Sequence, residues 1–449
     1  MRFLPGTETP RVAIIGFGYV GSCLGVTLAE RCMTVTGIDT DEALIGALRS
    51  GRCPIPEPGL AQAFARLAGS PRLTFTTSYA PAGTADVVII AVGTPTGPGH
   101  RLVTDQLDEV GRNLAPRLRP GQLVIVKSTV PPGATRDLVA PLLSSGGLVA
   151  GRDFGLAYCP ERLAQGTALR QLAELPVVVG GYDPDSTEAA VQFWKQALDV
   201  PVQALPGPES AEIVKLATNW WIDANIALAN ELAQLCAPYQ VDVLDVIATA
   251  NALPKGEGRV NILLPSIGVG GSCLTKDPWL AWRAAADRGI ALETVRTARR
   301  VNDGMPGLAG QLIVDELARL GKPAPRTVAV LGVTFKSNTG DLRNTPVAGV
   351  VEVLRAAGVC VRLFDPLVDP ADVEVRFGAR PERTVEDAIT GVDAIAILAG
   401  HHEFHHLDFA RLRTRVAMPC LFFDGRMYCP PDTVADLQRL GYGYRGIGR

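Results

Sequence analysis

The sequence predicts an α/β protein in which two doubly wound domains are joined by a long central helix. A buried strand at residues 11–16 runs into Gly16-Phe-Gly-Tyr-Val-Gly21, a spacing typical of a dinucleotide-binding turn. The stretch from Glu209 to Ala237 contains no glycine or proline and repeats apolar residues with the period of a helix. A second strand–helix–strand pattern follows the linker-like Pro323-Ala-Pro325. The first and last patterns each indicate a Rossmann-like domain, and the stretch between them indicates the joining helix.

The first domain is predicted to begin with a βαβ unit. A helix follows the glycine turn to about Arg31, and Thr34–Asp39 supplies the next strand. Glycines allow the tight turn and the close approach of a pyrophosphate, and an acidic residue about twenty positions on binds ribose hydroxyls. The residues predicted to bind this cofactor are Gly16, Gly18, Tyr19, Val20 and Asp39. Because the Asp39 carboxylate would repel a 2′-phosphate, the sequence predicts NAD rather than NADP.

Two further predicted strands end in polar turn residues. Residues 87–92 run into Gly93-Thr-Pro-Thr96, and residues 123–126 run into Lys127-Ser-Thr-Val-Pro-Pro132. Ligands of open parallel sheets bind at the carboxyl ends of the strands. We therefore predict that Thr94, Ser128 and Thr129 lie near the cofactor, although ordinary turn residues would give the same pattern.

The predicted central helix carries Lys215 and Asn219 at positions i and i+4, on one face. This pair is a candidate for catalysis, and a solvated helix face is the alternative. Trp220 and Trp221 are predicted to pack in a core or a subunit interface.

The segment Gly268-Val-Gly-Gly-Ser-Cys-Leu-Thr-Lys-Asp277 places one cysteine behind glycines and one helical turn ahead of an aspartate. Glycines would let the backbone approach a ligand. A thiol at a helix start has its pKa lowered by the free N–H groups and the dipole. Cys273 is therefore a candidate nucleophile, and a buried small hydrophobe is the alternative.

The second domain is predicted from strands at residues 327–332 and 361–365 around a helix at 347–357. Phe335-Lys336 and Asp341-Leu-Arg343 occupy the position of the glycine loop. We therefore predict a different phosphorylated ligand, held partly by Lys336 and Arg343. Surface charge is the alternative for both side chains.

Composition limits the class of function. A net charge of −3 argues against nucleic acid or a membrane surface as the main partner, and the longest apolar runs have the length of strands. The nine cysteines include no Cys-x-x-Cys pair, so we predict no zinc site, no disulfide framework and a reducing cytoplasm. No histidine lies between positions 101 and 400, so a lysine, a carboxylate or a thiol must act as the base. The cluster His401–His406 follows a strand as a polar loop, and we predict no metal there.

Taken together, these patterns resemble the UDP-glucose/GDP-mannose dehydrogenase family over nearly the whole chain. The corresponding motifs are Gly16-Phe-Gly-Tyr-Val-Gly21, Gly93-Thr-Pro95, Lys127-Ser-Thr-Val-Pro-Pro-Gly133, Cys159-Pro-Glu-Arg162, Glu212-Ile-Val-Lys-Leu-Ala-Thr-Asn219, Gly270-Gly-Ser-Cys-Leu-Thr-Lys-Asp277 and Phe335-Lys336. The resemblance implies a four-electron oxidation of a sugar C6 alcohol to a carboxylate with two NAD per turnover. Hydride transfer gives an aldehyde, a cysteine thiolate forms a thiohemiacetal, and a second hydride transfer leaves a thioester that water hydrolyses.

The same resemblance implies the roles of individual residues. Cys273 would be the nucleophile, Lys215 and Asn219 would stabilise the oxyanion, and Asp277 would activate water or relay protons. Glu161 and Thr129 would position the hydrolytic water. Glu161, Lys215 and Asn219 would also contact the substrate, together with Arg162, Leu163, Arg259, Gly268, Phe335 and Lys336. Lys276 and Arg343 would bind the cofactor. Arg259 matches an arginine that reaches the neighbouring subunit's substrate, so at least a homodimer, built on the long helix, is implied.

The residues that indicate the substrate disagree. Residues 160–166 resemble the branch that oxidises UDP-N-acetylhexosamines, whereas Ser272 resembles the UDP-glucose branch. A second difference from the family concerns the cofactor. Leu44 stands where relatives often carry a basic residue, five positions after the ribose-binding acid, so one contact to the adenosine side of NAD is expected to be absent. We interpret the chain as a 6-dehydrogenase of UDP- or dTDP-glucose. The alternatives are a UDP-N-acetylglucosamine or UDP-N-acetylmannosamine 6-dehydrogenase, a two-electron β-hydroxyacid dehydrogenase and a non-enzymatic NAD sensor.

The resemblance also suggests three segments. A NAD-binding domain is predicted at residues 1–206, a helical dimerisation and active-site region at 207–322, and a nucleotide-sugar-binding domain at 323–449.

Overall fold

A computed structural model describes residues 2–4 and 9–449, which fall into two units. The first unit comprises the chain up to residue 218 together with residues 279–290, and the second comprises residues 219–278 and 291–449. The predicted central region, residues 207–322, therefore contributes to both units. No helix in the described part of the chain is long and apolar enough to span a membrane.

The first unit is built on an eight-stranded sheet. Its strands are β1 (Arg11–Ile15), β2 (Thr34–Ile38), β3 (Leu73–Thr76), β4 (Val87–Ile90), β5 (Leu123–Val126), β6 (Gly155–Tyr158), β7 (Val177–Gly181) and β8 (Val202–Leu205). They are ordered β3-β2-β1-β4-β5-β6-β7-β8. Neighbouring strands run parallel except β6 and β7, which are antiparallel. All residues of β4, β5 and β6 are buried, as expected where helices cover both faces of a parallel sheet.

Helices connect the strands of this sheet. They are α1 (Tyr19–Glu30), α2 (Glu42–Arg49), α3 (Leu60–Leu67), α4 (Asp105–Leu114), α5 (Ala140–Ser144), α6 (Ala168–Glu174) and α7 (Pro184–Leu198). The predicted βαβ unit is confirmed. Its helix ends at Glu30, one residue earlier than predicted, and its second strand ends at Ile38.

The long helix predicted over residues 209–237 is confirmed as α8 (Pro208–Cys236). Proline is tolerated at its first position because the first N–H groups of a helix have no intrahelical partner. A second long helix, α11 (Glu293–Arg319), contains Pro306 and was not predicted.

The second unit contains a five-stranded sheet in which every pairing is parallel. Its strands are β11 (Thr327–Leu331), β12 (Cys360–Phe364), β13 (Ala394–Ile397), β14 (Leu421–Asp424) and β15 (Gly443–Gly446), in the order β12-β11-β13-β14-β15. A separate hairpin pairs β9 (Pro254–Lys255) with β10 (Gly258–Arg259). The remaining helices are α9 (Val243–Asn251), α10 (Asp277–Ala286, of which residues 279–286 lie in the first unit), α12 (Val347–Ala356), α13 (Pro370–Phe377), α14 (Val385–Ile389), α15 (Phe409–Leu412) and α16 (Pro431–Arg439).

The two sheets repeat one local arrangement. The Phe17 amide after β1 donates to Asp39 Oδ2 after β2, at 2.7 Å. In the second unit the Val333 amide after β11 donates to Asp365 Oδ2 after β12, also at 2.7 Å. The predicted repetition of the α/β unit, and with it the predicted fold class, is therefore confirmed.

Candidate active site

The three glycines of the first turn have different surroundings. Gly16 has a φ of +87°, and a Cβ there would come within 2.7 Å of the Ala91 carbonyl group. A Cβ on Gly21 would lie 2.2 Å from the Gly16 oxygen, whereas a Cβ on Gly18 would meet no atom within 4 Å. The fold itself therefore requires the first and third glycines. The open space at the second fits the close approach of a dinucleotide pyrophosphate.

Asp39 presents a carboxylate with remaining acceptor capacity at the end of β2. Its Oδ2 accepts from the Phe17 amide, and its Oδ1 accepts from the Asp41 amide at 3.0 Å. Each carboxylate oxygen has two lone pairs, so each can accept one more hydrogen bond. Asp39 is half-buried, which suits an acceptor for ribose hydroxyls.

Tyr19 and Val20 are the first two residues of α1, where backbone N–H groups lack intrahelical acceptors. The Tyr19 side chain is engaged elsewhere, because its hydroxyl donates to Glu57 Oε2 at 2.5 Å. Burial, followed by this hydrogen bond, raises the pKa of Tyr19 well above its usual value. The backbone at these two positions, rather than the phenol, is available to a cofactor.

The turns after β4, β5 and β6 meet at one edge of the sheet. Thr94 is buried there, and the Ser128 hydroxyl donates to the Val92 carbonyl at 2.8 Å, so that side chain stabilises the turn. Thr129 is half-buried after β5. Glu161 lies after the adjacent strand β6, and β5 and β6 are parallel over this edge.

Glu161 is held by two partners. Its Oε1 accepts from the Leu163 amide at 2.6 Å, and its Oε2 lies 3.3 Å from Lys127 Nζ. That second contact lacks hydrogen-bond geometry, so the buried Oε2 retains acceptor capacity within the described part of the chain. Its capacity suits the positioning of a water molecule. Beside it, Arg162 donates to the Pro176 carbonyl, and Leu163 packs against a hydrophobic core of the first unit.

Lys215 is 7% exposed, yet its side chain forms no hydrogen bond or ion pair with any residue among 2–4 and 9–449. Buried lysines usually have a partner, because an isolated buried charge is costly. Its ammonium is therefore available to an anionic group of a ligand or an intermediate.

In the second unit, Cys273 is exposed, and the alternative of a buried hydrophobe is wrong. The predicted helix start at this residue is also wrong, because α10 begins four residues later at Asp277. Pro278 explains the later start, since proline favours the first turn of a helix. The Cys273 carbonyl accepts from the Lys276 amide at 3.0 Å and the Asp277 amide at 2.8 Å, so the thiol lies in the turn that leads into the helix.

Asp277 is 1% exposed and adjoins two predicted site residues. Its Oδ2 accepts from Asn219 Nδ2 at 2.6 Å, and its Oδ1 lies 2.7 Å from Lys276 Nζ. The contact with Lys276 is an ion pair without hydrogen-bond geometry, so both atoms retain bonding capacity in the described structure. The second unit thus brings Asn219, Lys276 and Asp277 together beside the turn that carries Cys273.

The glycines before Cys273 accommodate protein atoms. A Cβ on Gly270 would lie 2.6 Å from Phe335 Cβ, and one on Gly271 would lie 2.8 Å from the Phe335 ring. The Gly271 amide donates to the Arg343 carbonyl at 2.9 Å, and Asn344 Nδ2 donates to the Gly271 carbonyl at 3.2 Å. The expectation that these glycines admit a ligand is therefore corrected, because they admit Phe335.

Glycine is also required at position 268 because of neighbouring protein atoms. It has a φ of +124°, and a Cβ there would meet the Asn302 carbonyl oxygen at 3.0 Å and Pro306 Cδ at 3.1 Å. Pro306 has no N–H to donate to the carbonyl four residues earlier. Gly268 thus packs against the position in α11 where Pro306 leaves the Asn302 carbonyl without its helical hydrogen bond.

The predicted phosphate-binding residues lie beside Phe335. Arg343 forms a bidentate ion pair with Asp341, with a shortest distance of 2.6 Å, and this hydrogen bonding raises the pKa of Arg343. Lys336 is exposed. Arg259 is exposed on β10, at the hairpin.

Sequence reasoning missed Arg426. Its guanidinium donates to the Phe335 carbonyl at 2.9 Å and the Leu398 carbonyl at 2.8 Å, and burial lowers its pKa to about 10. Arg426 follows β14 at the carboxyl end of a parallel strand. The rule that indicated Thr94 and Ser128 could therefore have found it.

His401 is buried and structural. Its Nδ1 accepts from the Asn338 amide at 2.9 Å, and its Nε2 lies 3.0 Å from Asp365 Oδ2. His405 stacks on Tyr428 with ring centroids 4.2 Å apart. No cluster of three or more potential metal ligands occurs where the chain is described.

Three domains of one family match the chain in order. The NAD binding domain of the UDP-glucose/GDP-mannose dehydrogenase family matches residues 10–198, its central domain matches 209–304, and its UDP binding domain matches 329–431.

Individual relatives match over most of their length. The UDP-N-acetyl-D-mannosamine dehydrogenase of Methanococcus maripaludis is 32% identical over 89% of this chain and 88% of its own. A solved structure of the UDP-D-ManNAc dehydrogenase from Pyrococcus horikoshii has a TM-score of 0.87 at 32% identity, covering 98% of this chain and 99% of that one. A UDP-glucose dehydrogenase from Pyrobaculum islandicum has a TM-score of 0.86 at 30% identity, with 99% of both chains covered. With this agreement of domains, fold and length, the chain belongs to the UDP-glucose/GDP-mannose dehydrogenase family and uses NAD.

Proposed function

We propose that this protein oxidises the C6 alcohol of a UDP-N-acetylhexosamine, with UDP-N-acetyl-D-mannosamine as the preferred substrate, to the corresponding uronate. The observation that carries the reaction class is the exposed Cys273, held in a glycine-framed turn beside the Asn219–Asp277 pair. A two-electron β-hydroxyacid dehydrogenase or a NAD sensor would leave this thiol and the second unit without a role.

The substrate proposal departs from the glucose interpretation of the sequence. Relatives such as those of Methanococcus maripaludis and Pyrococcus horikoshii are named UDP-N-acetyl-D-mannosamine dehydrogenases, at 32% and 33% identity. They support the alternative that the segment at residues 160–166 indicated. UDP- or dTDP-glucose remains the second candidate, because Ser272 and the similarity to the Pyrobaculum islandicum enzyme favour it.

The residues of this chain have distinct tasks in the proposed reaction. When bound, NAD supplies the acceptor for the hydride that leaves C6 in each oxidation. The Cys273 thiolate bonds to C6 of the aldehyde and later carries the acyl group as a thioester. Lys215 and Asn219 stabilise the negative charge on the C6 oxygen.

Hydrolysis of the thioester needs a water molecule and a base. Asp277, whose carboxylate is fixed by Asn219, accepts the proton of that water or relays it. Glu161 and Thr129 hold the water molecule, and Glu161 Oε2 has the acceptor capacity for this task.

The substrate proposal predicts the order of activities in a screen for NADH release. UDP-N-acetylmannosamine should exceed UDP-glucose, dTDP-glucose and GDP-mannose in kcat/KM by at least about tenfold, the scale of the net contribution of one hydrogen bond. UDP-N-acetylglucosamine differs from UDP-N-acetylmannosamine only in configuration at C2, so comparing the two kcat/KM values tests whether the site distinguishes that configuration. A Cys273→Ala variant controls for contaminating dehydrogenases. Faster turnover of UDP-glucose would overturn the N-acetylhexosamine proposal and restore the glucose interpretation.

Cofactor preference is expected to depend on Asp39. NAD should be favoured over NADP in kcat/KM by at least about 2 kcal/mol, the scale of a hydrogen bond to a charged group. Asp39→Asn should lose most of this preference, because an uncharged amide no longer repels the 2′-phosphate. Kinetics with both cofactors measure the effect, and Glu42→Gln at the exposed start of α2 is the control. Equal use of both cofactors by the wild type would contradict the prediction.

We propose a homodimer or higher oligomer built on α8. Trp221 is 50% exposed, and Leu228 and Leu235 follow it at intervals of seven residues with 47% and 59% exposure. This spacing puts the three side chains on one face of the helix. A second copy of the chain would cover this face, and Arg259 would reach the substrate bound to the neighbouring subunit.

We also propose a reducing cytoplasm as the compartment, because all nine cysteines are free.

A further inference from the structure

Glu57 is a buried carboxylate that the proposed chemistry does not use. It lies in the turn Pro56-Glu-Pro-Gly59 before α3 and is 7% exposed. No described lysine, arginine or histidine forms an ion pair with it. Instead its two oxygens accept three hydrogen bonds from neutral groups. A buried charge that is satisfied in this way is costly to remove, because each donor would lose its partner.

The three donors come from two separate segments. Glu57 Oε2 accepts from the Tyr19 hydroxyl at 2.5 Å and from the Gly166 amide at 2.7 Å. Its Oε1 accepts from the Ala168 amide at 2.7 Å. Tyr19 begins α1, directly after the glycine turn that fits the cofactor. Gly166 and Ala168 end the segment that carries Glu161, Arg162 and Leu163.

The other end of that segment is tied to the cofactor edge as well. Glu161 lies 3.3 Å from Lys127, which precedes Ser128 and Thr129. Residues 161–168 are thus fixed at both ends to elements that border the cofactor position. Because one oxygen of Glu57 serves both Tyr19 and Gly166, a displacement of the α1 start alters the hydrogen bond to the substrate segment.

We infer that Glu57 is a positioning residue that couples cofactor binding to nucleotide-sugar binding. Glu57 links the cofactor turn to the substrate segment, so a movement of one on ligand binding is passed to the other. Occupation of either site therefore favours the geometry that the other site needs. This inference rests on the proposed function, because it takes residues 161–163 as contacts of the nucleotide sugar.

The test is a linkage measurement with NADH, which gives no turnover with the sugar substrate. The dissociation constant of NADH is measured by fluorescence with and without the nucleotide sugar that is most active in the screen. In the wild type the sugar should tighten NADH binding by about 5- to 150-fold, the usual range of coupling between sites. In Glu57→Gln the ratio should fall to about one, because an amide cannot accept from all three donors.

Two further variants separate positioning from general stabilisation. Tyr19→Phe removes one hydrogen bond and should lower the ratio, and adding it to Glu57→Gln should change the ratio no further. Glu30 lies on the same helix as Tyr19 and forms an exposed ion pair with Arg66 of α3. Glu30→Gln should therefore keep the wild-type ratio. If Glu57→Gln does not fold, Tyr19→Phe alone decides the question.

The outcomes are distinct. A variant that loses thermal stability but keeps the wild-type ratio assigns Glu57 a purely structural role and overturns the inference. A wild-type ratio of one also overturns it. If no nucleotide sugar is oxidised by the wild type, the proposed function fails instead.

Discussion

The Cys273→Ser variant is expected to lose steady-state uronate formation by at least about 10³-fold, because an alcohol is hardly ionised near neutral pH whereas a thiol is partly so. The variant should still bind NAD and the nucleotide sugar. It should stall after the first hydride transfer or at a slowly hydrolysed ester. Uronate formation and single-turnover NADH release measure these two effects separately.

The number of NADH molecules released per sugar provides a second test of the role of Cys273. Wild type should release two NADH per sugar consumed, with no free aldehyde. Cys32→Ser, at another exposed cysteine, should retain normal activity. A yield of one NADH, or near-normal uronate formation by Cys273→Ser, would remove Cys273 from the chemistry.

The Lys215→Met variant is expected to lower kcat by about 10²- to 10³-fold, which is typical of removing one donor to a developing oxyanion. Methionine retains much of the length and the apolar stem of lysine but has no charge, so packing at this buried position should persist. The KM for the nucleotide sugar should change less than kcat, because the charge on the C6 oxygen develops mainly in the transition state.

Steady-state kinetics of Lys215→Met and of a matched control decide this prediction. Lys195→Met replaces an exposed lysine on α7 and should leave kcat unchanged. If Lys215→Met raises KM with kcat intact, Lys215 binds substrate uniformly and does not stabilise the oxyanion.

Local sequence patterns predict the regular elements well. The glycine turn, the buried strands and α8 all follow from short-range periodicity, and the observed ends lie within two residues of the predicted ones. Helix α11 could not be predicted in this way, because it contains Pro306 and several glycines, which disfavour helices. Packing explains its formation. A Cβ on Gly310 would lie 2.7 Å from Val353 of α12, so the two helices approach closely only with glycine there.

Contacts between segments that are far apart in the sequence could not be predicted from local patterns. Glu57 meets Gly166 across 109 positions of the chain, and Arg426 meets Phe335 across 91. No spacing rule connects such residues. The helix start predicted at Cys273 is wrong for a local reason, because Pro278 favours a helix that begins at its own first turn. Only Arg426, at the end of a parallel strand, had a signal that could have been used.

The contact of Gly270 and Gly271 with Phe335 limits how this chain can diverge. Any side chain at either glycine would overlap the Phe335 side chain, and Arg426 holds the main chain of Phe335 through its carbonyl. A smaller group at position 335 would not free either glycine for substitution. A Cβ on Gly270 would still lie 2.6 Å from the Asn344 carbonyl oxygen and 2.9 Å from Pro346 Cδ, and Gly271 has a φ of +82°, which disfavours any side chain. Shrinking the ring is therefore not a route by which the turn that carries Cys273 can change, and both positions are expected to stay glycine as long as the turn keeps this backbone path.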